Sequence, residues 1–540
     1  LATSSAASDV YKRQDFDHSM VQTGRTPRLA RSANSCRHRG QIEPEHTPRP
    51  DSGRAIRQMA RDFKKRGSIV TRRTAEQLRE DAVAIWNAGV HAVLGDQLVK
   101  NFVRWDEDQL WLGDEWLDLS GFDRLVVVGG GKAGGAMAIG LEEALRPVSK
   151  PIEMKGLLNI PEGCNRPTEW IELHEARPPG VNEPTTQGVE GTGKMLDWIQ
   201  ALGPRDWCVV LLSGGGSALL PAPLEGISLE DKLQTTRFHS GQGANIEQLN
   251  TVRKSLSRIK GGGLAQACTA GRLDTLVVSD VLGDPLDVIA SGPTVPNTKG
   301  PADALKILHK FDPNRTELPA NIYRSLEDSQ ANSGSPSSPL GSHHGSTHII
   351  GNLAMAVDAA GIEAERRGYS HAMDCAREME GTAESVGTHH ARLAWRMRHD
   401  CGPDCLITGG EPVVQLAPSE NRGKGGRNQQ LVLAALEELR QMASVETPAS
   451  TFATTGICLL SGGTDGEDGP TTAAGGWIDS EVEASIKSQG LDVMTALKQN
   501  DAFPLLEAAD GLLHTGPTHT NVCDLRVVVV DRIETDPEAT

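Results

Sequence analysis

The chain has 540 residues, with 71 acidic and 54 basic side chains and a formal net charge of −17. That charge repels phosphate backbones, and only 9 Trp, 3 Tyr and 8 Phe are available for base stacking, which argues against a general nucleic-acid-binding function. Nine scattered cysteines form neither a disulfide framework nor a CxxC pair, which favours a reducing compartment, and no run of about 18 apolar residues offers a membrane span.

Residues 1–60 carry ten Lys/Arg against six Asp/Glu and show no hydrophobic periodicity. They read as a disordered leader, either a sequencing artefact or a targeting segment. Thr74-Ala75-Glu76-Gln77 has capping-box form, and Leu78, Ala82, Ile85, Trp86, Gly89, Val93 and Leu94 then recur on one face, predicting an opening helix. From residue 121 apolar strands alternate with glycine turns and helices. Leu125–Val128 runs into Gly129-Gly130-Gly131-Lys132-Ala133-Gly134-Gly135 and a helical stretch, Ala136–Leu145. Val209–Leu212 runs into Ser213-Gly214-Gly215-Gly216-Ser217. Leu276–Val278 leads to Asp280 and Asp284, Leu406-Ile407 to Glu411, and Leu459-Leu460 to Asp465 and Asp468. This alternation predicts parallel sheet in an α/β fold, with ligands at the carboxyl ends of the strands. A Ser/Gly/Pro/His tract, 329–348, reads as a linker or insertion, and its His343 and His344 as solvated loop residues or, less simply, metal ligands.

Several constellations carry chemistry, each beside a plainer reading. Gly129-x-Gly131-x-x-Gly134 matches a dinucleotide fingerprint, with Glu153 placed to hold a ribose, or it is a tight strand–helix turn. Lys132 inside that turn suits a phosphoryl group or a carboxylate. Ser213–Ser217 reads as a second anion nest or a second turn. Asn250, Arg253, Lys254, Ser257 and Lys260 share a helical face opposite Leu249, Val252, Leu256 and Ile259, giving an anion-binding or a solvated basic face. Asp280, Asp284, Asp465 and Asp468 suit Mg²⁺ shared with nucleotide phosphates, or Asx turns. Gly423–Gln430, with Lys424 and Arg427, precedes a helix, Leu431–Arg440, as a candidate phosphate clamp. His514, in a polar loop before the last strand, Leu525–Val530, is a candidate acid/base. Together these features suit phosphoryl transfer to a small anionic acceptor.

The runs VVVGGGKAGGAM, LLSGGGSALLPAP, NTVRKSLSRIKGGGLA and SDVLGDPLDVIASGPTVP resemble the N-terminal domain of glycerate 2-kinases. TGGEPVV, GKGGRNQQL, SGGTDGEDGPT and HTGPTHTNVCDL are similar to that family's C-terminal MOFRL domain. The resemblance implies a larger Rossmann-like α/β/α lobe with a parallel sheet over 61–328, the linker over 329–348, a smaller α/β lobe over 349–540, and a site in the cleft between them. It implies ATP-dependent phosphorylation of D-glycerate at its 2-hydroxyl, with Mg²⁺. Lys132, Arg427 and Asp465 are then the catalytic candidates. Gly129, Gly130, Gly131, Ser213, Gly214, Gly215, Gly216 and Ser217 would bind the nucleotide; Asn250, Arg253, Lys254 and Lys260 would bind the acceptor. Asp280 and Asp465 would meet the metal. The expected location is the cytoplasm, with organelle targeting by residues 1–60 left open, the partners are small molecules with no nucleic acid or membrane, and a homodimer is compatible. The alternatives are an NAD(P)H-dependent hydroxypyruvate reductase and a non-catalytic ligand sensor. The segment His174–Glu183, His519, Cys523, Lys424 and Thr472 depart from the usual family pattern.

Overall fold

A computed structural model describes residues 73–107, 109–148, 152–178, 183–332, 343–400, 402–446 and 452–532. The expected leader, residues 333–342 of the 329–348 tract and residues 179–182 lie outside these described residues. The opening helix, Ala75–Ala92, begins with the capping box, Thr74 and Gln77 exchanging side-chain and backbone bonds. After the helix Gly95–Phe102 comes a small antiparallel meander, β1 (Val103–Asp106), β2 (Gln109–Leu112) and β3 (Glu115–Leu117).

The first large sheet follows. Its strands are β4 (Arg124–Gly130), β5 (Glu153–Pro161), β6 (Ile171–Arg177), β7 (Asp206–Leu212), β8 (Arg272–Val278) and β9 (Thr347–Gly351). All pair in parallel, in the order β6-β5-β4-β7-β8-β9. This is the doubly wound order, and its direction reverses between β4 and β7. Alternate residues of β4 and β7 feed opposite cores. Leu125, Val127, Val209 and Leu211 pack with helices Gly95–Phe102 and Gly134–Leu145; Val126, Val128, Cys208 and Val210 pack with helices Thr186–Gln200 and Gly263–Ala267. Burial on both faces explains the near-continuous apolar runs.

The second sheet contains β10 (His371–Cys375), β11 (Cys405–Gly410), β12 (Ile457–Gly463), β13 (Gly475–Ile478), β14 (Leu512–Leu513) and β15 (Asp524–Val530). Its order is β10-β11-β15-β12-β13-β14. Only β10 and β11 pair in parallel; the other pairings are antiparallel, which corrects the parallel expectation for this half. One face carries helices Ala383–His399 and Arg427–Glu446. The other is covered by Leu353–Arg366 and by the opening helix, whose Trp86 indole donates to Leu525 O at 3.1 Å. The chain therefore starts on the second sheet, passes through the first, and returns. Strand β9, the edge of the first sheet, spans the boundary expected between 348 and 349.

Candidate active site

Two loops meet where the first sheet reverses direction. Gly129 and Gly131 have φ of +145° and +151°. A Cβ on Gly129 would stand 2.0 Å from Leu211 O, and one on Gly131 2.1 Å from Ser213 Oγ. Close approach to β7 thus requires both glycines. The loop's amides are spent inside the protein. Gly131 N donates to Asn159 O at 3.1 Å, Lys132 N to Gly214 O at 2.8 Å and Ala133 N to Ser213 Oγ at 3.0 Å. Gly129, Gly130 and Gly131 therefore shape the turn that aims Lys132 rather than present an amide cradle, a correction to the fingerprint reading. Glu153 opens β5 opposite Arg124, while the loop leaves β4 beyond Gly130. Six residues of strand, about 20 Å, separate it from the crevice, so it holds no ribose there.

Lys132 reaches across to the second half of the chain. Its Nζ lies 2.7 Å from Asp465 Oδ2 and 2.7 Å from Glu467 Oε2. Burial works against this charge, but the two carboxylates outweigh it and hold the ammonium above its usual value. Asp280, at the exit of β8, meets the same region. Its carboxylate faces Gly214 and receives Asn521 Nδ2 at 3.4 Å, and Cys523 Sγ donates to Asp280 O at 3.0 Å. Burial and then Glu411 push its carboxyl up to about 6, against the pull of Lys132. Asp284 instead accepts from Asn352 Nδ2 at 2.7 Å.

Antiparallel pairing shapes the other wall. Asp524, the first residue of β15, is in register with Gly410 at the end of β11 and Gly463 at the end of β12. Arg427 forks onto Asp524, with Nε to Oδ2 at 2.6 Å and Nη2 to Oδ1 at 2.9 Å, and gives Nη1 to Glu411 at 2.9 Å. Burial opposes its charge; Asp524 and Glu411 more than compensate. Arg427 opens the helix Arg427–Glu446, earlier than the expected Leu431 start. Asp468 caps that helix, accepting Asn428 N at 3.0 Å and Gln429 N at 2.9 Å. Burial nonetheless pushes Asp468 up to about 7. Its role is a helix cap, not the metal ligand the sequence allowed. Lys424 leaves the clamp and stacks over Phe503, 4.3 Å from the ring centroid.

A second group of cations gathers on Ser217. Arg253 Nη2 donates to Ser217 Oγ at 2.9 Å. Lys260 Nζ lies 2.5 Å from Ser217 Oγ, 2.8 Å from Ser217 O and 3.2 Å from Ser291 Oγ. The helix is Ile246–Ser255, so Lys260 arrives from the turn beyond it rather than from one continuous face. Asn250 supports Arg253 at 3.4 Å, whereas Lys254 turns to Asp287 at 3.3 Å and away from Ser217. Lys232, on the helix Leu229–Gly241, joins the group unannounced by any motif. Burial and then Arg253 bring its ammonium down to about 7. Arg177 Nη2 stands 3.3 Å from where a Cβ on Gly215 would be. His343 is held by Ala270 O at 2.6 Å and Ala265 O at 3.0 Å, a structural post rather than a metal ligand.

Glu411, Asp524, Glu467, Asn521 and Lys232 were not singled out as site residues. Glu411, Glu467, Asn521 and Asp524 stand inside quoted motifs; Lys232 carries no local signal.

Two family models match the chain: a domain of unknown function (DUF4147) over residues 81–327, and the MOFRL family over 404–524. The human glycerate kinase is 34% identical over 521 residues, spanning 86% of this chain and 95% of the relative. The chain belongs to the glycerate kinase family. The D-glycerate 2-kinase of Thermotoga maritima is 34% identical over 461 residues, 84% of this chain and 99% of that one. A glycerate kinase crystal structure from the same organism superposes with a TM-score of 0.68, covering 84% of this chain and all of its own. A relative in Agrobacterium vitis, 36% identical over 411 residues, is described as a putative hydroxypyruvate reductase. Among the described residues no helix of this family member is long and apolar enough to cross a membrane.

Proposed function

We propose that the chain is an ATP-dependent kinase that phosphorylates D-glycerate at its 2-hydroxyl, giving 2-phosphoglycerate and ADP. The observation that carries this reading is the meeting of Lys132 and Arg427, from different halves of the chain, with the carboxylates Asp465, Glu411 and Asp524 around Asp280. Phosphoryl transfer needs positioning and charge neutralisation more than covalent chemistry, and this arrangement supplies both. Lys132 and Arg427 remain charged at any working pH and neutralise the oxygens of the moving phosphoryl group. Arg253, held on Ser217, receives the anionic parts of the substrates. Ser213 and Gly214–Ser217 form the floor beneath them.

Asp280 fits a hard divalent cation. It is a half-buried oxygen donor pushed towards neutrality, and among the described residues it makes no ion pair. Among the same residues no three His, Cys, Asp or Glu form a metal cage, so a Mg²⁺ ion would be held by Asp280, with Asp465 beside Lys132, and by nucleotide oxygens. Such an ion would offset the charge of the nucleotide's phosphate oxygens. In its ionised form Asp280 also accepts the proton of the glycerate hydroxyl. For a reductase the dinucleotide loop offers nothing, since its amides are bonded internally. The reading includes a cytoplasmic setting; light scattering decides between a monomer and a homodimer. The test is turnover with MgATP and D-glycerate. Lys132→Ala and Arg427→Ala should each lower kcat more than about tenfold while folding normally, and wild-type turnover in either variant removes that residue from the mechanism.

A further inference from the structure

Ser217, Lys260 and Ser291 form a closed hydrogen-bonded triangle that phosphoryl transfer does not require. The three sides are 2.5 Å between Lys260 Nζ and Ser217 Oγ, 3.2 Å between Lys260 Nζ and Ser291 Oγ, and 3.0 Å between the two hydroxyls. Lys260 is buried, and among the described residues no carboxylate lies within ion-pair distance of it. Its neighbours are cations, Arg253, Lys232 and Lys254. Burial first, and those charges second, lower its pKa well below the usual value.

A neutral amine has two N–H donors and one lone pair, and Lys260 has three partners. The bonds then assign themselves. Lys260 donates to Ser217 O and to Ser291 Oγ, and its lone pair takes the hydrogen of the Ser217 hydroxyl. Ser291 donates its own hydrogen to Ser217 Oγ. Arg253 Nη2 donates to the same oxygen at 2.9 Å. Ser217 Oγ thus has one acceptor for its hydrogen and two donors facing the oxygen. Ser291 sits in costly backbone: Ala290 and Ser291 have φ of +49° and +65°, the left-handed region that non-glycine residues avoid. Ser217 itself is half-buried and open to solvent.

The geometry points to Ser217 as a base-activated nucleophile that accepts acyl groups from small anionic esters, with Lys260 as general base and Ser291 as the bridging hydroxyl. Ser217 Oγ forms a bond to the ester carbonyl carbon, and its proton passes to Lys260 Nζ. The bond from that carbon to the leaving oxygen breaks, and the leaving group departs with the electron pair, taking the proton from Lys260 where its basicity requires it. Water later repeats the sequence and frees Ser217 as the carboxylic acid departs. Arg253 and Lys232 supply the recognition of an anionic group on the ester.

The probes are p-nitrophenyl acetate and p-nitrophenyl hydrogen succinate, followed by nitrophenolate release and by peptide mass spectrometry of the full chain. The expected results are a burst of about one nitrophenolate per chain, an acyl adduct on the Ser217 peptide, and a faster burst with the succinate. Ser217→Ala should lose the adduct. Lys260→Arg keeps N–H donors but carries a fixed charge and cannot act as a base; it should lower the burst rate at least about tenfold and remove its rise with pH. An adduct elsewhere, an unchanged burst in Lys260→Arg, or no burst in wild-type protein overturns the assignment. Glycerate-dependent ADP formation is measured on the same wild-type preparation. Kinase turnover without acylation overturns this inference alone; acylation without kinase turnover overturns only the kinase reading.

Discussion

At the scale of single residues, charge and burial decide the behaviour of the cleft. Asp280 has its carboxyl raised from 3.8 to about 6 by burial. The folded protein therefore binds its proton more tightly than the unfolded chain. The stability this gives is complete below 3.8 and is lost as pH rises through about 6. Asp280→Asn should flatten the decline in melting temperature across that window, and an unaltered decline would assign it to other groups. If the ionised form takes the glycerate proton, kcat/KM should rise with pH through about 6, and the same substitution should abolish that limb. Two of the departures from the family pattern have a physical reading. His519 and Cys523, two of those expected departures, sit at φ of +60° and +73°. Left-handed backbone costs an ordinary side chain about 1–2 kcal/mol. His519→Gly should relieve part of it and stabilise the protein by about 0.5–1 kcal/mol in chemical denaturation, whereas a loss of stability would show that the ring's contacts matter more. Lys132 and Arg427 were legible because each stands in a glycine loop at an element boundary. Asp524 lay inside a quoted motif, but its pairing with Arg427 depends on strand order; Lys232 was not legible, being an unremarkable position on a polar helix.

At the scale of elements, the sequence located the strands that enter the site but not their partners. Leu125–Val128, Val209–Leu212 and Leu276–Val278 mark β4, β7 and β8, because burial on both faces leaves an unbroken apolar run. The edge strands β6 and β10 mix polar with apolar residues, as in Ile171–Arg177, and carry no such signal. The triple-glycine turn was legible as a tight turn; its amide partners are set by Asn159, Ser213 and Gly214, far off in sequence. The helix Arg427–Glu446 owes its start to Asp468, which lies 40 residues downstream of Asn428. Asp468→Ala should cost about 1–2 kcal/mol, the usual range for losing such a cap, and should displace Arg427 as well. A variant with unchanged stability would deny the cap that role.

At the scale of the whole molecule, each half has a sheet buried on both faces, but the halves are not consecutive stretches of chain. Leu78, Ile85 and Trp86 of the opening helix belong to the core of the second sheet, beside Cys405, Ile407, Cys458 and Val527. A pattern of apolar spacing shows that a helix has a buried face; it does not say against which of two sheets. Trp86→Ala removes a fully buried indole and its bond to Leu525 O, and should destabilise the protein by about 3–5 kcal/mol. The mixed pairing of the second sheet was likewise hidden, since β11, β12 and β15 are apolar whichever way they run. Yet that pairing is what brings Asp524 between the ends of β11 and β12, within reach of Arg427. The candidate site draws on both halves at once: Lys132 follows β4 of the parallel sheet, and Arg427 opens a helix packed on the mixed one. The most direct measurement uses purified protein with MgATP and D-glycerate, the product being read by enolase without phosphoglycerate mutase. The account predicts an immediate signal, because 2-phosphoglycerate is the enolase substrate. A signal that appears only after mutase is added would contradict the 2-hydroxyl assignment, and ADP formation that does not depend on glycerate would contradict the kinase reading itself.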